Sequence, residues 1–118
     1  MDLTTVIHTV TGIAKEAGAF IRHERKSFSQ NKVEAKATND LVSYVDKTSE
    51  TMIVERLQKY FPDHGFIAEE NQELKRKDYN WIRDPLDGTT NFVHGIPCYA
   101  VSIGLECNGE ILAGVVYE

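Results

Sequence analysis

The residues best suited to chemistry lie in one stretch, residues 81–92, which reads Trp-Ile-Arg-Asp-Pro-Leu-Asp-Gly-Thr-Thr-Asn-Phe. Asp84 and Asp87 offer two carboxylates, whose oxygens can hold hard cations. Pro85 cannot donate a ladder hydrogen bond and disfavours helix at Asp84, so we expect a strand to stop at Asp84. Gly88 allows a sharp reversal of the chain, and the Thr-Thr-Asn that follows favours a helix start.

A strand, a turn and a helix start in this order would place the two carboxylates beside free backbone N–H groups. Such N–H groups and the positive end of a helix can hold a phosphate. The stretch is therefore suited to a metal-bridged phosphate ester, although a plain polar loop with an Asx turn is an alternative. An EF-hand loop needs acidic or amide residues at alternate positions before its glycine, which this spacing does not supply. A haloacid-dehalogenase-like phosphatase needs Asp-x-Asp, whereas these two aspartates stand three apart.

Length and composition bound the class of protein. The chain has 118 residues, which is enough for one domain but not for two. Apolar residues make up 42% of it, as expected for a globular core. Thirteen Lys and Arg against eighteen Asp and Glu give a formal charge of −5, which argues against a nucleic-acid partner. An anionic phosphate substrate would need a local cation, which a bound metal would supply.

The sequence also predicts a cytoplasmic location without a membrane partner. Its N-terminus is amphipathic rather than a secretory signal, and no apolar run approaches the roughly 20 residues of a membrane span. If Cys98 and Cys107 lie on one strand, they stand about 30 Å apart at about 3.3 Å per residue. A disulfide needs Cα atoms within about 7 Å, so we expect reduced thiols.

Apolar residues at helical spacing predict a first helix over about residues 3–26, with Asp2 as its N-cap. The following residues, 27–39, lack a clear period and are predicted to form a loop with a short strand around Val33. The residues that carry the first apolar stripe are Leu3, Val6, Ile7, Val10, Ala14, Ala17 and Ile21.

Helical spacing resumes to predict a second helix over about residues 46–60. Pro62 should end it by disfavouring helix at Phe61. Asp46 would then lie at or near the N-terminus of this helix, where it could serve simply as an N-cap.

A short strand over residues 66–68 is predicted next, and it ends in Glu69 and Glu70. A strand that delivers acidic residues at its tip is a plausible placement for a metal ligand, although such a pair is usually surface charge. Residues 71–79 are polar and are predicted to form a surface loop.

Two long antiparallel strands are predicted over residues 98–117. Asn108 and Gly109 stand between the two β-prone runs, and Asn-Gly there is a strong hairpin signal. Gly104 and Gly114 are predicted to mark a close approach or a bulge.

Residues 81–92 closely resemble the signature of the inositol monophosphatase family, Trp-x-x-Asp-Pro-(Leu/Ile)-Asp-Gly-Thr-x-Asn-(Phe/Tyr), and meet every fixed position. Residues 40–46 resemble the family's Asp-Leu-Val-Thr-x-x-Asp, with Ser43 in place of the threonine. Residues 67–70 resemble its Ile-Gly-Glu-Glu, with Ala68 in place of the glycine. The resemblance implies an α+β, layered sugar-phosphatase-like fold, in which two long N-terminal helices pack on a mostly antiparallel sheet. Residues 1–118 would form the N-terminal part of the family domain.

The resemblance also implies roles for individual residues. Asp46 would pair with Thr89 to activate a water. The residues implied to bind Mg²⁺, two or three ions per site, are Glu69, Asp84, Leu86 through its carbonyl, and Asp87. The residues implied to bind substrate are Asp87, Gly88, Thr89 and Thr90.

The function implied is a Mg²⁺-dependent phosphomonoesterase that hydrolyses inositol monophosphate or a similar small sugar or polyol phosphate through a metal-activated water. A bisphosphate nucleotidase or fructose bisphosphatase of the same superfamily is an alternative, as is a noncatalytic associating fragment. The family's chain is longer and ends in a second motif built on Trp-Asp, which this sequence lacks. We therefore expect a truncated chain that is not a competent phosphatase alone and that forms a homo-oligomer, such as a dimer.

Overall fold

In the computed structural model, two helices lie against a four-stranded sheet. The structure describes residues 2–27, 35–67, 77–88 and 99–118. For residues 26–27, 35–41 and 87 it describes the backbone only. The strands stand in the order β1-β2-β3-β4, where β1 and β2 are parallel and the other pairs antiparallel. This confirms the predicted α+β class. The elements are α1 (Leu3–Ser27), α2 (Ala35–Tyr60), β1 (Gly65–Phe66), β2 (Tyr79–Asp87), β3 (Ala100–Cys107) and β4 (Glu110–Tyr117).

Helix α1 begins and ends within a residue of its predicted bounds. Asp2 caps it as predicted: the Thr4 N–H donates to Asp2 Oδ1 at 3.1 Å, and the Thr5 hydroxyl donates to Asp2 Oδ2 at 2.7 Å. The side-chain hydrogen bond from Thr5 is the main cause that lowers the pKa of Asp2. The free donors of the first turn thus find an acceptor within the same turn.

Helix α2 begins much earlier than predicted, at Ala35 rather than near Asp46. The predicted loop over residues 27–39 is therefore wrong for residues 35–39, and the predicted strand around Val33 lies outside the described residues. Only Ala35, Lys36 and Ala37 favour helix strongly here, while Thr38, Asn39 and Asp40 do not, and no apolar stripe runs through them, so a search by periodicity missed this part of α2. Asp46 consequently lies inside the helix and is not an N-cap.

The end of α2 agrees with the prediction, because the helix stops at Tyr60, two residues before Pro62. The Phe61 N–H still donates to the Leu57 carbonyl at 2.8 Å and closes the last turn.

Strand β2 runs past Asp84 to Asp87, so the prediction that it would stop at Asp84 is wrong. Asp84 pairs with Ser102 and Asp87 with Ala100, and the register shifts between these two pairs. An extra residue on the β2 side forms a bulge there, where Pro85 needs no ladder partner for its missing N–H.

The other strands around β2 agree in part with the predictions. β1 is shorter than the predicted strand over residues 66–68, and it covers only Gly65 and Phe66. β2 already begins at Tyr79, which the sequence had assigned to a surface loop. Residues 71–76 of that loop lie outside the described part of the chain.

The predicted hairpin is confirmed. Asn108 and Gly109 have positive φ values of 52° and 84°, as a two-residue hairpin turn of type I′ requires. Gly104 and Gly114 face each other across the strands, but a Cβ at either would make only ordinary contacts at 3.8–3.9 Å. The register shift lies beyond them, where Leu112 is the extra residue, so the prediction for these two glycines is wrong.

The core lies between the helices and one face of the sheet, around Trp81, which is 1% exposed. The opposite face carries exposed Ile111 and Val116 on β4. Neither described helix is long and apolar enough to cross a membrane. Cys107 is a free thiol, while Cys98 lies outside the described residues. The buried apolar residues are Val6, Val10, Ile13, Ala14, Ala17, Ile21, Val45, Ile53, Leu57, Trp81, Leu86, Val101, Ile103 and Leu105.

Two glycines with open space around them should respond oppositely to the same substitution. A Cβ at Gly109 or at Gly12 would meet nothing within 4 Å, but only Gly109 has a positive φ. Gly109→Ala should lower the free energy of unfolding by about 1–2 kcal/mol because an L side chain is strained there. Gly12→Ala, inside α1, should raise it by about 0.5–1 kcal/mol. Urea unfolding of both variants tests this, and equal signs for the two would contradict the turn geometry.

Candidate active site

Asp84 and the bulge that follows it form the centre of the candidate site. The Leu86 N–H donates to Asp84 Oδ1 at 3.3 Å, so the turn has the Asx geometry that the sequence left open as an alternative. The Leu86 side chain is 3% exposed and anchors this turn in the core. Gly88 follows with a φ of +81°, which agrees with the predicted sharp reversal. The Asx turn uses one lone pair of the Asp84 carboxylate, which has further lone pairs for a cation.

Helix α2 carries Asp46 to this centre. Asp46 is partly buried, and burial is the largest cause that raises the pKa of its carboxyl group; the negative charges of Asp84 and Glu50 raise it further. A charge effect between Asp46 and Asp84 means that the two carboxylates lie within electrostatic reach of each other. The structure thus brings together one predicted catalytic residue and one predicted metal ligand.

Ser49 connects the same helix to the bulge. It lies three residues after Asp46 and is completely buried, and its hydroxyl donates to the Pro85 carbonyl at 2.9 Å. This bond attaches α2 to the bulged backbone between Asp84 and Asp87.

Arg83 makes a second connection between α2 and β2. Its Nε donates to Glu50 Oε1 at 2.7 Å, and its side chain is only 12% exposed. Sequence reasoning missed Ser49, Glu50 and Arg83. The helical spacing from Asp46 could have indicated that Ser49 and Glu50 share its face, but no sequence pattern shows what they contact.

The structure describes the remaining predicted site residues only in part. Glu69, Thr89 and Thr90 lie outside the described residues, and for Asp87 the backbone alone is described. The Ile67 N–H donates to the Trp81 carbonyl at 3.0 Å, so the chain runs beside β2 two residues before Glu69.

The donor set fits a hard divalent cation. Burial raises the pKa of the Asp46 carboxyl group most, and the negative charges of Asp84 and Glu50 raise it further. A bound Mg²⁺ would offset these charges, and carboxylate oxygens are ligands that it accepts. Among the described residues, no group of three or more His, Cys, Asp or Glu is arranged to hold a metal ion, so a metal site here would need ligands from the rest of the chain.

Two helices packed on a mixed sheet, with an acidic bulge at the end of one strand, define a sugar-phosphatase-type arrangement. Residues 2–118 match the sequence profile of the inositol monophosphatase family, and the chain therefore belongs to that family. It is 40% identical over 120 residues to the inositol-1-monophosphatase of Mesorhizobium japonicum, covering 100% of this chain and 45% of that protein. It is 44% identical over 110 residues to a fructose-1,6-bisphosphatase/inositol-1-monophosphatase of Aquifex aeolicus, covering 92% and 42%.

Solved structures show the same fold. The inositol monophosphatase from Anabaena superimposes with a TM-score of 0.78 at 36% identity, over 99% of this chain and 41% of that one. The extragenic suppressor protein suhB from Bartonella henselae gives a TM-score of 0.78 at 39% identity, over 96% and 43%. The chain thus spans less than half the length of these relatives.

The raised pKa of Asp46, caused first by burial and then by the charges of Asp84 and Glu50, predicts a pH-dependent stability effect in metal-free protein. Because folding raises the pKa of Asp46, the folded state holds its proton more tightly, and the group costs stability as pH rises through its pKa. Asp46→Asn should therefore raise the free energy of unfolding at pH 7 in EDTA, by no more than about 1 kcal/mol for a partly exposed charge. The gain should disappear at about pH 3, where the carboxyl group is neutral in both states.

The measurement is urea unfolding at both pH values. Glu55→Gln is the matched control, because Glu55 is an exposed carboxylate on the same helix. An Asp46→Asn effect of the same size at both pH values would contradict the charge of Asp46 as its cause.

Proposed function

We propose that this chain contributes the metal and phosphate site of a Mg²⁺-dependent phosphomonoesterase that hydrolyses inositol monophosphate or a similar small sugar or polyol phosphate. The observation that carries the proposal is the hydrogen bond of 2.9 Å from the buried Ser49 hydroxyl to the Pro85 carbonyl, which attaches the helix that carries Asp46 to the bulge beside Asp84. The two signature segments are far apart in sequence, and this contact between them supports a shared site. The names of relatives in the family support the same class of substrate.

The ligands of two or three Mg²⁺ ions would be Glu69, Asp84, Asp87 and the Leu86 carbonyl. Bound Mg²⁺ would neutralise charge on the phosphate and lower the pKa of a coordinated water. The Asx turn and the buried Leu86 side chain hold the Asp84 end of this set in place. The Ser49 hydroxyl donates to the Pro85 carbonyl, which supports the backbone just before Leu86.

The substrate and the attacking water would be held by the residues around Gly88. Backbone N–H groups of Gly88 and Thr89, with Asp87 and Thr90 beside them, would bind the phosphate oxygens. Thr89 and Asp46 would orient the water for in-line attack, with Asp46 accepting the hydrogen bond that fixes the Thr89 hydroxyl. No nucleophilic side chain, and hence no covalent phosphoenzyme, is required.

The ester itself would be selected by contacts beyond these residues. A bisphosphate nucleotidase or fructose bisphosphatase of the same superfamily would use the same ligands. The name of the Aquifex aeolicus relative includes both fructose-1,6-bisphosphatase and inositol-1-monophosphatase, which supports testing both kinds of substrate. Turnover by the full-length protein on inositol monophosphates, fructose 1,6-bisphosphate and nucleotide bisphosphates discriminates among them.

A homo-oligomer, such as a dimer, and a cytoplasmic location remain predictions. Strand β4 lies at the end of the described strand order and exposes Ile111 and Val116, which supports self-association. Sedimentation of the 118-residue chain tests the oligomeric state, and a monomer at micromolar concentration would contradict it.

Removing one ligand charge should abolish the response of the fold to Mg²⁺. A ligand that binds only the folded state stabilises it by RT ln(1 + [L]/Kd), about 2.7 kcal/mol at a hundredfold excess over Kd. Asp84→Asn should lose most of the increase in Tm that Mg²⁺ causes in the wild type. Asp78→Asn, which changes an exposed aspartate at the other end of β2, should keep it. Equal Mg²⁺-induced shifts in wild type and Asp84→Asn would rule out the ligand assignment.

The proposed pairing of Thr89 with Asp46 predicts variants that lose turnover more than metal binding. In the full-length protein, Thr89→Ala should lower turnover by about 10²–10⁴-fold and leave the Mg²⁺ affinity nearly unchanged, and Asp46→Asn should lower turnover in the same direction. The double variant should lose less than the product of the two single losses, because the pair acts as a unit. Steady-state kinetics with Thr51→Ala on α2 as a control measures this. Fully multiplicative losses would count against the pairing.

A further inference from the structure

Arg83 links the three segments that carry the proposed site residues. Besides its bond to Glu50, its Nη1 donates to the Ile67 carbonyl at 3.0 Å. Its guanidinium carbon lies 5.2 Å from the centre of the Phe66 ring. One side chain on β2 therefore contacts α2 and the end of β1 at the same time.

Each of these contacts lies next to a proposed site residue. Arg83 directly precedes Asp84, Glu50 is one helical turn after Asp46, and Ile67 is two residues before Glu69. A shift of the guanidinium would therefore change how β2, the middle of α2 and the end of β1 lie relative to one another.

The geometry of the contact is suited to positioning. The guanidinium is a rigid plane with five donors, so bonds to Glu50 and to the Ile67 carbonyl constrain the angle as well as the distance between them. Two of its nitrogens contact the same Glu50 oxygen, Nε at 2.7 Å and Nη2 at 2.5 Å. Because the Arg83 side chain is largely buried, loss of either partner would leave a poorly solvated charge.

A second Arg–Glu pair in the same molecule provides a comparison. Arg56 on α2 bonds Glu16 on α1 at 2.5 Å, and it also donates to the Met52 carbonyl at 3.3 Å. That pair joins the two helices, and its described hydrogen bonds do not reach β1 or β2. Its side chains are more exposed, 33% and 54% against 12% and 34% for Arg83 and Glu50.

We infer that Arg83, held by Glu50 and the Ile67 carbonyl, is a positioning residue that sets where Asp84 on β2 stands relative to α2 for metal binding. This inference rests on the proposed function, since it concerns the affinity of the same metal site. Partners that orient metal ligands without touching the metal typically change metal affinity or activity by about 10–100-fold when removed.

The test is the Mg²⁺ dependence of Arg83→Met in the full-length protein, with Arg56→Met as the matched control. Methionine keeps much of the apolar stem and removes the guanidinium. Arg83→Met should raise the Mg²⁺ dissociation constant by calorimetry about 10–100-fold and reduce the Mg²⁺-induced shift in Tm. Arg56→Met should lower Tm without Mg²⁺ but keep the wild-type dissociation constant.

Arg83→Lys provides a second variant in case the methionine variant does not fold. Lysine keeps the positive charge near Glu50, but it lacks the planar guanidinium that bonds Glu50 and the Ile67 carbonyl together. We therefore expect a loss of Mg²⁺ affinity between those of the wild type and Arg83→Met. Wild-type Mg²⁺ affinity in both Arg83 variants, or equal losses in Arg83→Met and Arg56→Met, would overturn the positioning role while leaving the proposed function intact. A wild-type protein that neither binds Mg²⁺ nor hydrolyses a phosphate ester would overturn the proposed function and this inference with it.

Discussion

The attachment of α2 to the bulged end of β2 is the constraint on which the candidate site depends. Pro85 lacks an N–H, and the register shift around it interrupts the strand ladder, so this backbone needs support from outside the sheet. The buried hydroxyl of Ser49 supplies it at the Pro85 carbonyl. Because Asp46 lies one turn away from Ser49 on the same helix, the bond that supports the bulge also fixes where Asp46 stands relative to Asp84.

Apolar packing holds α2 against β2 beside the candidate site. Trp81 is almost fully buried three residues before Asp84, and its ring centre lies 5.2 Å from that of Phe61, just after α2. Loss of so large a buried ring typically costs about 3–5 kcal/mol. The Trp of the signature therefore has a structural role: it seats β2 against α2, and the acidic turn follows at a position that this packing determines.

Negative charge at the site opposes folding and favours ligand binding. The pKa of Asp46 is raised by burial first and then by the negative charges of Asp84 and Glu50, and of these three carboxylates the described ion pairs match only Glu50, with Arg83. A sequence optimised for stability alone would not place a partly buried carboxylate inside a helix near two others. Local conflicts of this kind are expected where function requires them, and a divalent cation is the ligand that would resolve this one.

The sequence by itself determined the elements whose signals are local. The Asp2 cap, the positive φ at Gly109 and the reversal at Gly88 depend on neighbouring residues, and the structure agrees with each. Only the tertiary structure decided where α2 begins, how β2 continues past Pro85, and what Arg83 contacts. Those outcomes depend on packing and hydrogen bonds between residues far apart in sequence. Such contacts override local propensity, and no periodic pattern in the sequence predicts them.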